Sequence, residues 1–483
     1  MGALTAKPYS FRNRTWELVS IESIDILDSL CSSIRIDTRN NIVERLLPKP
    51  NDNINEEWIT DKIRFCYDGF KKQRLSFPFY KIKRVHSNVF VQCSWFLIFK
   101  KIKANHLIHT SKYGSASFWS VFTGHLVDTF SLSVLKTMTS MIGITSINAN
   151  LNLNLDLRKY YIFNNNIKTF DLNSVFLLMG CNPQVDSPIL NMKLRQIKYK
   201  YKKRINVGYV GSKLLINYSM VHLGLKTSSM MQLFYGKSFF CKIISKINNV
   251  VCLYSVGLSY LLNHNLPVTL DLLSIFLRKH NFIQNHLSIY TSDVSLHELG
   301  VNSYYYYKST FIRKFKAKFF LFLGVDYNNM CLSGIDNYVI YNGHHANVGV
   351  SVANVILPSN LYVENTCFFL NCEGRLMVSN VAITKKKKIV NNESVIYNLF
   401  NFLCEGEGLL VNLRRVFLLF FYKTSFFFTK YKYVVKTYIQ GSTSCFFSDT
   451  VLSVTNDFYN MDVISKSSYY LVQLRNQETS LNF

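Results

Sequence analysis

The chain has 483 residues, of which 48% are hydrophobic and 17% are charged, a balance that excludes a disordered polymer and suits several domains with sizeable cores. Lys and Arg number 55 against 29 Asp and Glu, and the formal net charge of +26 by itself favours an acidic partner or anionic lipid. The chain also has 38 Phe and 30 Tyr beside 8 Pro, a bias typical of A+T-rich codons, so we interpret the basicity mainly as a coding bias.

Neither a membrane span nor a metal site is predicted. The most apolar run, residues 416–428, is interrupted by Lys423, whereas a spanning helix needs about 20 apolar residues. The first 15 residues lack the features of a secretory or transit signal. None of the 11 cysteines has C-x-x-C spacing, which indicates reduced, mostly buried thiols. We therefore expect no iron–sulfur cluster, metal or other cofactor in this chain.

The first elements form a small β-rich unit. Ile34 and Ile36 alternate with polar residues before Asn40-Asn41, and residues 42–47 return, which predicts a hairpin. A helix is predicted over residues 56–68, with Asn55 as its N-cap and Gly69 at its end.

From about residue 77 the pattern is a succession of strands and helices. A helix capped by Asp128 ends at Gly143, and residues 148–155 form a loop or an edge strand. The predicted strands are 174–179, 205–210, 250–254, 289–290 and 319–323, and the predicted helices begin near Pro188 and span 227–235, 268–277 and 392–404. Residues 414–455 are aromatic and β-like. Strands that alternate with helices predict an α/β fold with mostly parallel sheets flanked by helices.

Candidate site residues lie where predicted strands end. The apolar run 339–341 stops at Asn342-Gly343 and is followed by His344-His345, while the run 353–357 stops at Pro358. The polar loop 371–375 follows, and Gly180 and Asn182 end the strand at 174–179. Ligands of open α/β sheets settle outside the carboxyl ends of strands, so these loops predict a ligand crevice or its vestige. The crevice candidates are Gly180, Asn182, Gly343, His344, His345, Glu373, Gly374 and Arg375.

These motifs resemble the molybdopterin oxidoreductase superfamily, in particular the non-catalytic branch in the large iron–sulfur subunit of respiratory complex I. The residues that carry the resemblance are Trp16-Glu17, Glu22 to Asp25, Asp28, the runs 34–39 and 54–59, Asn182-Pro183, Gly343 to His345, Val348-Gly349, the run 353–358, Glu364, the loop 371–375 and Asp457 to Tyr459. They extend over nearly the whole chain.

The resemblance implies a small β-rich domain over residues 16–75 without its cluster, a molybdopterin oxidoreductase-like α/β region over 76–455, and terminal segments 1–15 and 456–483. In the family, the segment similar to residues 1–8 lies well inside the chain. We therefore expect the carboxy-terminal part of a split subunit that docks a separate, iron–sulfur-cluster-bearing polypeptide. The resemblance also implies that the chain is a scaffold on the matrix side of the mitochondrial inner membrane, where it contacts other matrix-arm subunits of complex I. It further implies that the chain is encoded in the mitochondrion.

Two other functions remain open at this stage. An active molybdopterin-dependent oxidoreductase would need a recognisable metal ligand and a cluster motif, and neither is identifiable. A basic organellar nucleic-acid-binding protein is suggested by the net charge and by the run KYKYKKR at 198–204, although a solvated connection explains that run as well. We predict no nucleic-acid partner.

A docking patch is predicted near the amino terminus. Its candidate residues are Arg12, Arg14, Trp16, Ile21, Ile24 and Arg35, with the competing interpretation that they close the core of the hairpin. We also expect a positive backbone φ at Gly343 and at Gly374, because each follows a polar residue at the end of a strand or loop.

Overall fold

The structure is a computed structural model that describes residues 5–481, except for 84–87, 114–118, 145, 150–157, 173–174, 201–205, 215, 248, 256–257, 259–270, 272–280, 304–317, 327–336, 347, 386–388 and 405–456. The helix predicted over 268–277, apart from Asp271, and the β-like region 414–455 lie outside the described residues. Within the described residues, no helix is both long enough and apolar enough to cross a membrane.

The amino-terminal unit is a three-stranded antiparallel sheet of β1 (Val19–Ile24), β2 (Ser33–Arg39) and β3 (Ile42–Pro48), in the order β1-β2-β3. The predicted hairpin is confirmed. Asn40 and Asn41 have φ values of 51° and 63°, and asparagine tolerates this left-handed turn better than most residues. Ile34 and Ile36 are both fully buried, which explains why they alternate with more polar neighbours.

The helix predicted over residues 56–68 is wrong in its start and in its cap. Helix α1 spans Asp61–Phe65, where the Thr60 hydroxyl accepts from the backbone N–H of Ile63 at 3.3 Å, and a 3₁₀ turn over Cys66–Phe70 follows. Asn55 instead accepts from the N–H of Ser33 at 3.1 Å. Glu56 has a φ of 51°, which no right-handed helix can include.

Two larger sheets form the α/β region. The five-stranded sheet is parallel throughout, in the order β10-β9-β8-β11-β12. The eight-stranded sheet, in the order β13-β7-β6-β14-β15-β16-β4-β5, is parallel as far as β16 and antiparallel through β4 and β5. The strands are β4 Phe79–Lys83, β5 Asn88–Gln92, β6 Trp119–Thr123, β7 Ile147–Ala149, β8 Val175–Met179, β9 Asn206–Val210, β10 Val221–Gly224, β11 Asn249–Ser255, β12 Asn281–Leu287, β13 Asn302–Ser303, β14 Phe319–Leu323, β15 Tyr338–Gly343 and β16 Val355–Pro358; β17 Cys367–Leu370 pairs with β18 Leu376–Ser379.

The central strands confirm most sequence-based predictions. Val175–Met179 and Phe319–Leu323 are buried at every position, as expected for parallel strands that are covered on both faces. The strand predicted at 289–290 is wrong, because the strand in that region is β12. The buried polar residues Gln284, Asn285 and His286 of β12 conceal it from a hydrophobicity pattern. Asn148 lies in β7, one strand in from the sheet edge.

The helices cover these sheets. In the described residues, the further α-helices are α2 Trp95–Tyr113, α3 Thr129–Ile142, α4 Pro183–Asp186, α5 Pro188–Lys200, α6 Thr227–Phe234, α7 Phe239–Ile244, α8 Ser292–Glu298, α9 Val348–Val352, α10 Asn392–Cys404, α11 Val463–Ser467 and α12 Tyr469–Leu481. The predictions for α3, α5, α6 and α10 are confirmed. The Asp128 carboxylate caps α3 by accepting from the N–H of Ser131 at 2.9 Å, and Gly143 ends it with a φ of 80°.

The carboxy-terminal helices pack on the amino-terminal sheet. One hydrophobic core joins Ile34 and Ile36 of β2, Tyr362 and Phe369 near β17, and Ile464 of α11. Segments that are distant in sequence therefore stabilise one another across this core.

We predict that Asp128→Ala destabilises α3 by about 1 kcal/mol, because the N–H of Ser131 loses its capping acceptor. Asp128→Asn is the matched control, since an amide oxygen can still cap the helix. Hydrogen exchange of the α3 amides measures the difference. Equal protection in the alanine and asparagine variants would contradict the capping role.

Candidate functional site

The histidine loop lies at the carboxyl end of β15, where the sequence predicts it. Gly343 is the last residue of β15 and pairs with Pro358 of β16. The ring of His345 is fully buried, and its Nε2 lies 2.8 Å from the carbonyl oxygen of Gly69. The carbonyl of His344 accepts from the guanidinium of Arg74 at 2.9 Å and from the backbone N–H of Leu75 at 3.1 Å. The loop is therefore bonded to the chain that leaves the β-rich unit.

A buried ion pair between Arg74 and Glu364 holds the chain segment that bonds to the histidine loop. The Arg74 guanidinium lies 2.5 Å from Glu364 Oε2, and both side chains are largely buried. Glu364 also accepts from the backbone N–H of Leu361 at 3.0 Å. A charge-assisted pair that is hydrogen-bonded on both sides holds its geometry well. Arg74 and Glu364 thus act as a brace between the histidine loop and the segment after β16.

Both histidines are neutral at pH 7. Burial, the neighbouring His345 and the Arg74 charge hold the pKa of His344 well below its usual range. Burial, opposed by the hydrogen bond to Gly69, lowers the pKa of His345 to about 4. The two Nδ1 atoms face each other at 2.5 Å. The rings thus serve as hydrogen-bonding packing groups, and neither is a protonated general acid at neutral pH.

The predicted positive φ at Gly343 is wrong, whereas the one at Gly374 is confirmed. Gly374 has a φ of 75°, and Gly343 does not adopt the left-handed region because it continues the strand. Lack of space is what requires glycine at position 343. A Cβ there would lie 2.5 Å from the hydroxyl oxygen of the fully buried Tyr341.

The polar loop 371–375 joins three parts of the fold. The Asn371 side-chain oxygen accepts from the N–H groups of Glu373 at 3.1 Å and Arg375 at 2.8 Å, which closes the turn. The N–H of Cys372 donates to the carbonyl of Ser29 at 2.9 Å, and its carbonyl accepts from the N–H of Phe163 at 2.8 Å. The loop therefore ties the β-rich unit to the five-stranded sheet.

The charged residues of this loop are also engaged internally. Glu373 Oε2 lies 2.7 Å from Arg375 Nε, and Glu373 Oε1 accepts from the backbone N–H of Ile167 at 2.7 Å. Arg375 donates to the side-chain oxygen of Asn166 at 3.1 Å. Burial raises the pKa of Glu373 above its usual value, although Ile167 and Arg375 oppose the shift.

The third group of candidates lies at the carboxyl end of β8. Gly180 has a φ of 57°, and its N–H donates to the carbonyl of Val210 at 2.9 Å. The Asn182 side-chain oxygen accepts from the N–H of Gln184 at 3.2 Å and so begins α4. The N–H of Asn182 donates to Asp186 Oδ2 at 2.9 Å. These contacts describe a strand-to-helix turn.

The three loops bond to different neighbours, so the described contacts do not bring the eight crevice candidates together in one site. One cavity of about 640 Å³ lies beside Phe77, Pro78 and Trp95, and another of about 10 Å³ lies beside Asp28 and Lys62. Neither cavity is lined by any of the eight candidates. Each loop acts as a brace between elements.

Sequence reasoning missed a buried charge cluster. Lys62 Nζ lies 2.7 Å from Asp462 Oδ2, with both side chains 3% exposed, and Asp25 and Asp28 are buried nearby. Oδ2 of Asp25 and Oδ2 of Asp28 have no hydrogen-bond partner among the described residues. The sequence carries no signal for this cluster beyond the resemblance at Asp25 and Asp28, because Lys62 and Asp462 are 400 positions apart.

Burial controls the protonation of these carboxyl groups. Burial and the charge of Asp28 raise the pKa of Asp25 to about 8, and burial raises the pKa of Asp28 to about 6. Although burial alone would raise it, the Lys62 ammonium and the Ser465 hydrogen bonds hold the pKa of Asp462 below its usual value. Asp25 is therefore protonated at pH 7, and Lys62 is paired with Asp462.

The predicted docking patch is only partly on the surface. Trp16 is 79% exposed, Arg12 and Arg14 are exposed, and Ile21 and Arg35 are half-buried. Ile24 is 4% exposed and lies in the core shared with α11, so its assignment to the patch is wrong. Ile24 is the last residue of β1, and its side chain packs inward with residues of β2 and α11.

We predict different costs for alanine at three glycines. Gly236→Ala, with a φ of 69° and open space around the Cβ, should cost about 1 kcal/mol through backbone strain alone. Gly374→Ala adds to the strain of its positive φ a close contact with the Arg158 guanidinium, at 2.9 Å from the Cβ. Gly343→Ala should cost most, because its Cβ meets the buried ring of Tyr341. Denaturant unfolding measures the order. Relief of the Gly343→Ala defect by Tyr341→Leu, which removes the hydroxyl and also the ring atoms Cε1 and Cζ at 2.7 Å, checks the steric cause, and an equal cost at all three positions would contradict it.

We predict that Asp25→Asn changes the pH dependence of stability. The pKa of Asp25 is about 8 in the folded chain against about 4 when unfolded, so the folded state binds more protons and stability falls as pH rises between these values. The asparagine variant lacks this loss. Its free energy of unfolding relative to the natural chain should rise by more than about 1 kcal/mol from pH 5 to pH 8.5. Exposed Asp61→Asn is the control, and a pH-independent difference at Asp25 would refute the assignment.

Comparison with known proteins places this geometry in a family. Residues 74–391 match the family described as molybdopterin oxidoreductase, and residues 18–68 match the family described as the NADH-ubiquinone oxidoreductase NDSU1/NuoG-like, 4Fe-4S domain. Acetylene hydratase from Pelobacter acetylenicus is similar in structure, with a TM-score of 0.54 at 10% identity over 80% of this chain and 69% of that one. This likeness concerns the fold alone.

The sequence relatives are subunits of one kind of complex. The chain is 30% identical to the NADH-ubiquinone oxidoreductase 75 kDa subunit of Reclinomonas americana, over 78% of this chain and 56% of that protein. It is 31% identical to the mitochondrial 78 kDa subunit of Neurospora crassa, over 79% of this chain and 51% of that protein. It is 30% identical to the 75 kDa subunit of Acanthamoeba castellanii, over 97% of this chain and 68% of that protein. The chain thus spans about half the length of the first two relatives.

The match to a 4Fe-4S domain contradicts the expectation that this chain has no iron–sulfur cofactor. Residues 18–68 contain Cys31 and Cys66, both buried, and burial holds the pKa of each thiol well above its usual range. A [4Fe–4S] cluster takes four thiolates, so these two thiols do not fit one by themselves. No group of three or more His, Cys, Asp or Glu among the described residues is arranged to hold a metal.

Two matches, together covering most of the chain, and relatives at about 30% identity agree with the observed parallel sheets and the β-rich unit. The chain therefore belongs to the molybdopterin oxidoreductase family, in the branch that includes the 75 and 78 kDa subunits of NADH-ubiquinone oxidoreductase.

Proposed function

We propose that the chain is a subunit of NADH:ubiquinone oxidoreductase, respiratory complex I, and that its α/β region is a structural scaffold on the matrix side of the mitochondrial inner membrane. Its relatives are named as subunits of that oxidoreductase, and several are named as mitochondrial. The single observation that carries the scaffold role is that one polar side chain from each of the three candidate loops bonds to the chain itself, whereas the buried amide of Asn342 at the end of β15 has no hydrogen-bond partner among the described residues. His345 bonds to Gly69, Glu373 to Ile167 and Asn182 to Gln184.

An active molybdopterin-dependent oxidoreductase is less well supported. Its site would need polar groups that converge on a cavity at the strand ends. Instead, the backbone carbonyl of His344 accepts from Arg74, the ring of the buried His345 bonds to Gly69, and the 371–375 loop closes on Asn371. A catalytic role for this chain would thus need residues other than the eight candidates.

A nucleic-acid role is also less well supported. In the described part of KYKYKKR, Lys198 Nζ donates to the carbonyl and hydroxyl oxygens of Ser219, and the Tyr199 hydroxyl donates to the carbonyl of Asn217 at 3.0 Å. These bonds hold the end of α5 against the chain before β10. Residues 201–204 of the run lie outside the described residues. The codon bias that explains the basicity also fits mitochondrial encoding.

The scaffold would dock a separate polypeptide that carries iron–sulfur clusters. The amino-terminal patch, defined here as Phe11, Arg12, Arg14, Trp16 and Val19, is the surface we assign to it. Phe11 is 93% exposed, Trp16 79% and Val19 62%, beside β1, which is the outer strand of its sheet. Large exposed aromatic side chains with arginines beside them are typical of protein interfaces. Arg14 lies 6.0 Å from the ring of Trp16, which keeps the two side chains together.

We predict that Trp16→Ala with Arg12→Glu and Arg14→Glu weakens capture of the cluster-carrying polypeptide by at least tenfold, because an aromatic anchor is lost and the rim charge is reversed. The tagged chain is purified from mitochondria in mild detergent, and co-eluting subunits are quantified by mass spectrometry. Lys237→Glu with Lys242→Glu on and beside α7 is the matched charge control.

Two outcomes would count against the proposal separately. If the natural chain elutes without complex I subunits, the assignment to complex I is wrong. If the triple variant retains the cluster-carrying polypeptide at full yield, the amino-terminal patch is not its docking surface. Unchanged thermal unfolding of the variant shows that lost capture does not reflect misfolding, since these side chains are exposed.

A further inference from the structure

Helix α2 is apolar on two opposite faces. Its inner face buries Ile98 and Ile102 completely in the core of the eight-stranded sheet. Its outer face exposes Phe96 by 67%, Leu107 by 56% and Ile108 by 51%. A surface helix normally presents mainly polar residues to solvent, whereas this face exposes Phe, Leu and Ile around Lys100 and Lys103. The outer face of α2 therefore has the character of an interface.

This face continues into a groove at the sheet edge. A cavity of about 640 Å³ lies at the start of α2, lined by Phe77, Pro78, Gln92, Cys93, Ser94 and Trp95. Strand β5 is the outer strand there, and Ile82 and Val91 on β4 and β5 are 38% and 37% exposed. An outer strand offers backbone hydrogen-bonding groups to an incoming segment. We call the outer face of α2 together with this groove the α2 surface.

The α2 surface lies in a stretch of one charge sign. Residues 69–127 contain ten Lys and Arg and no Asp or Glu, although the chain has 29 acidic residues in all. Lys101 and Lys103 extend over the rings of Tyr80 and Phe402 at 3.9 and 5.4 Å, and Lys100 is exposed. The ammonium groups of Lys101 and Lys103 lie over these rings and keep their positive charge, so with the exposed Lys100 they form a positive rim on the apolar surface. The charge complement of this rim is acidic.

We propose that the α2 surface docks an acidic protein segment, whose apolar side chains contact Phe96 and Leu107 and whose Asp and Glu residues meet the lysines. A second copy of this chain would bring the same acid-free surface, and the like charges would repel. An anionic membrane matches the charge, but the concave groove and the outer strand β5 fit a polypeptide. The proposal is independent of the amino-terminal patch and of which assembly contains the chain.

Photocrosslinking in the purified native assembly tests it. A benzophenone amino acid is placed at Leu107, and another at Phe239 on α7, which is 71% exposed and serves as the control position. The crosslinked peptides are identified by mass spectrometry. The expected result is one partner subunit crosslinked from position 107 through a segment rich in Asp and Glu, without that segment crosslinking from position 239. A lipid adduct, a second copy, residues of this chain itself, a segment without acidic excess or no crosslink at all would overturn the proposal.

Charge variants test the electrostatic part. Lys100→Glu with Lys103→Glu should reduce the crosslink from position 107 by at least tenfold, whereas Lys100→Arg with Lys103→Arg should retain it. Lys237→Glu with Lys242→Glu controls for the change in net charge. A crosslink that survives reversal at full yield would overturn the assignment of an acidic partner. The identity of the co-purified subunits and the crosslinking yield are separate measurements. If the subunits belong to an assembly other than complex I, the proposed function is refuted, but the crosslinking result at position 107 still stands.

Discussion

The ion pair between Lys62 and Asp462 is the contact on which the arrangement of the two ends of the chain depends. It joins α1 to the start of α11 at 2.7 Å, with both side chains buried. Asp25 and Asp28 lie in the same cluster, so Lys62 is the single described ammonium among three buried carboxyl groups. A buried pair costs desolvation, but removing one partner leaves an uncompensated charge at a cost of several kcal/mol. The cluster therefore enforces one docking geometry of α11 on the β-rich unit.

Pairing of charged side chains within the chain is also found near the carboxyl ends of the strands. Strands β8 and β15 belong to the two parallel arrangements of the fold. In other open α/β sheets, ligands bind outside the carboxyl ends of such strands. In this chain Arg74 pairs with Glu364 beside the end of β15, and Arg375 pairs with Glu373 after β17. Most buried polar groups in proteins are paired, and these four charged side chains find their partners within the protein itself. The loops that carry these pairs thereby connect separate elements of the fold.

The basic composition has two different consequences. At KYKYKKR, the described lysine and tyrosine bond to the neighbouring chain, and the charge has a local structural explanation. Along residues 69–127, the same bias coincides with an exposed apolar helix face and a groove. Charge alone indicates no function, but charge together with unburied apolar surface indicates a partner.

The sequence by itself determined those elements that depend only on a few neighbouring residues. The Asp128 cap, the Gly143 stop, the Asn40-Asn41 turn and the apolar run of β14 need only neighbouring positions, so they were predictable. Tertiary structure decided what distant residues impose: the left-handed Glu56 that delays α1, the polar strand β12 buried between its neighbours, and the Tyr341 ring that leaves no room for a side chain at Gly343. It also brought Lys62 to Asp462 and gave each loop of crevice candidates its own bonding partners, since burial and pairing are set by contacts that no sequence period records.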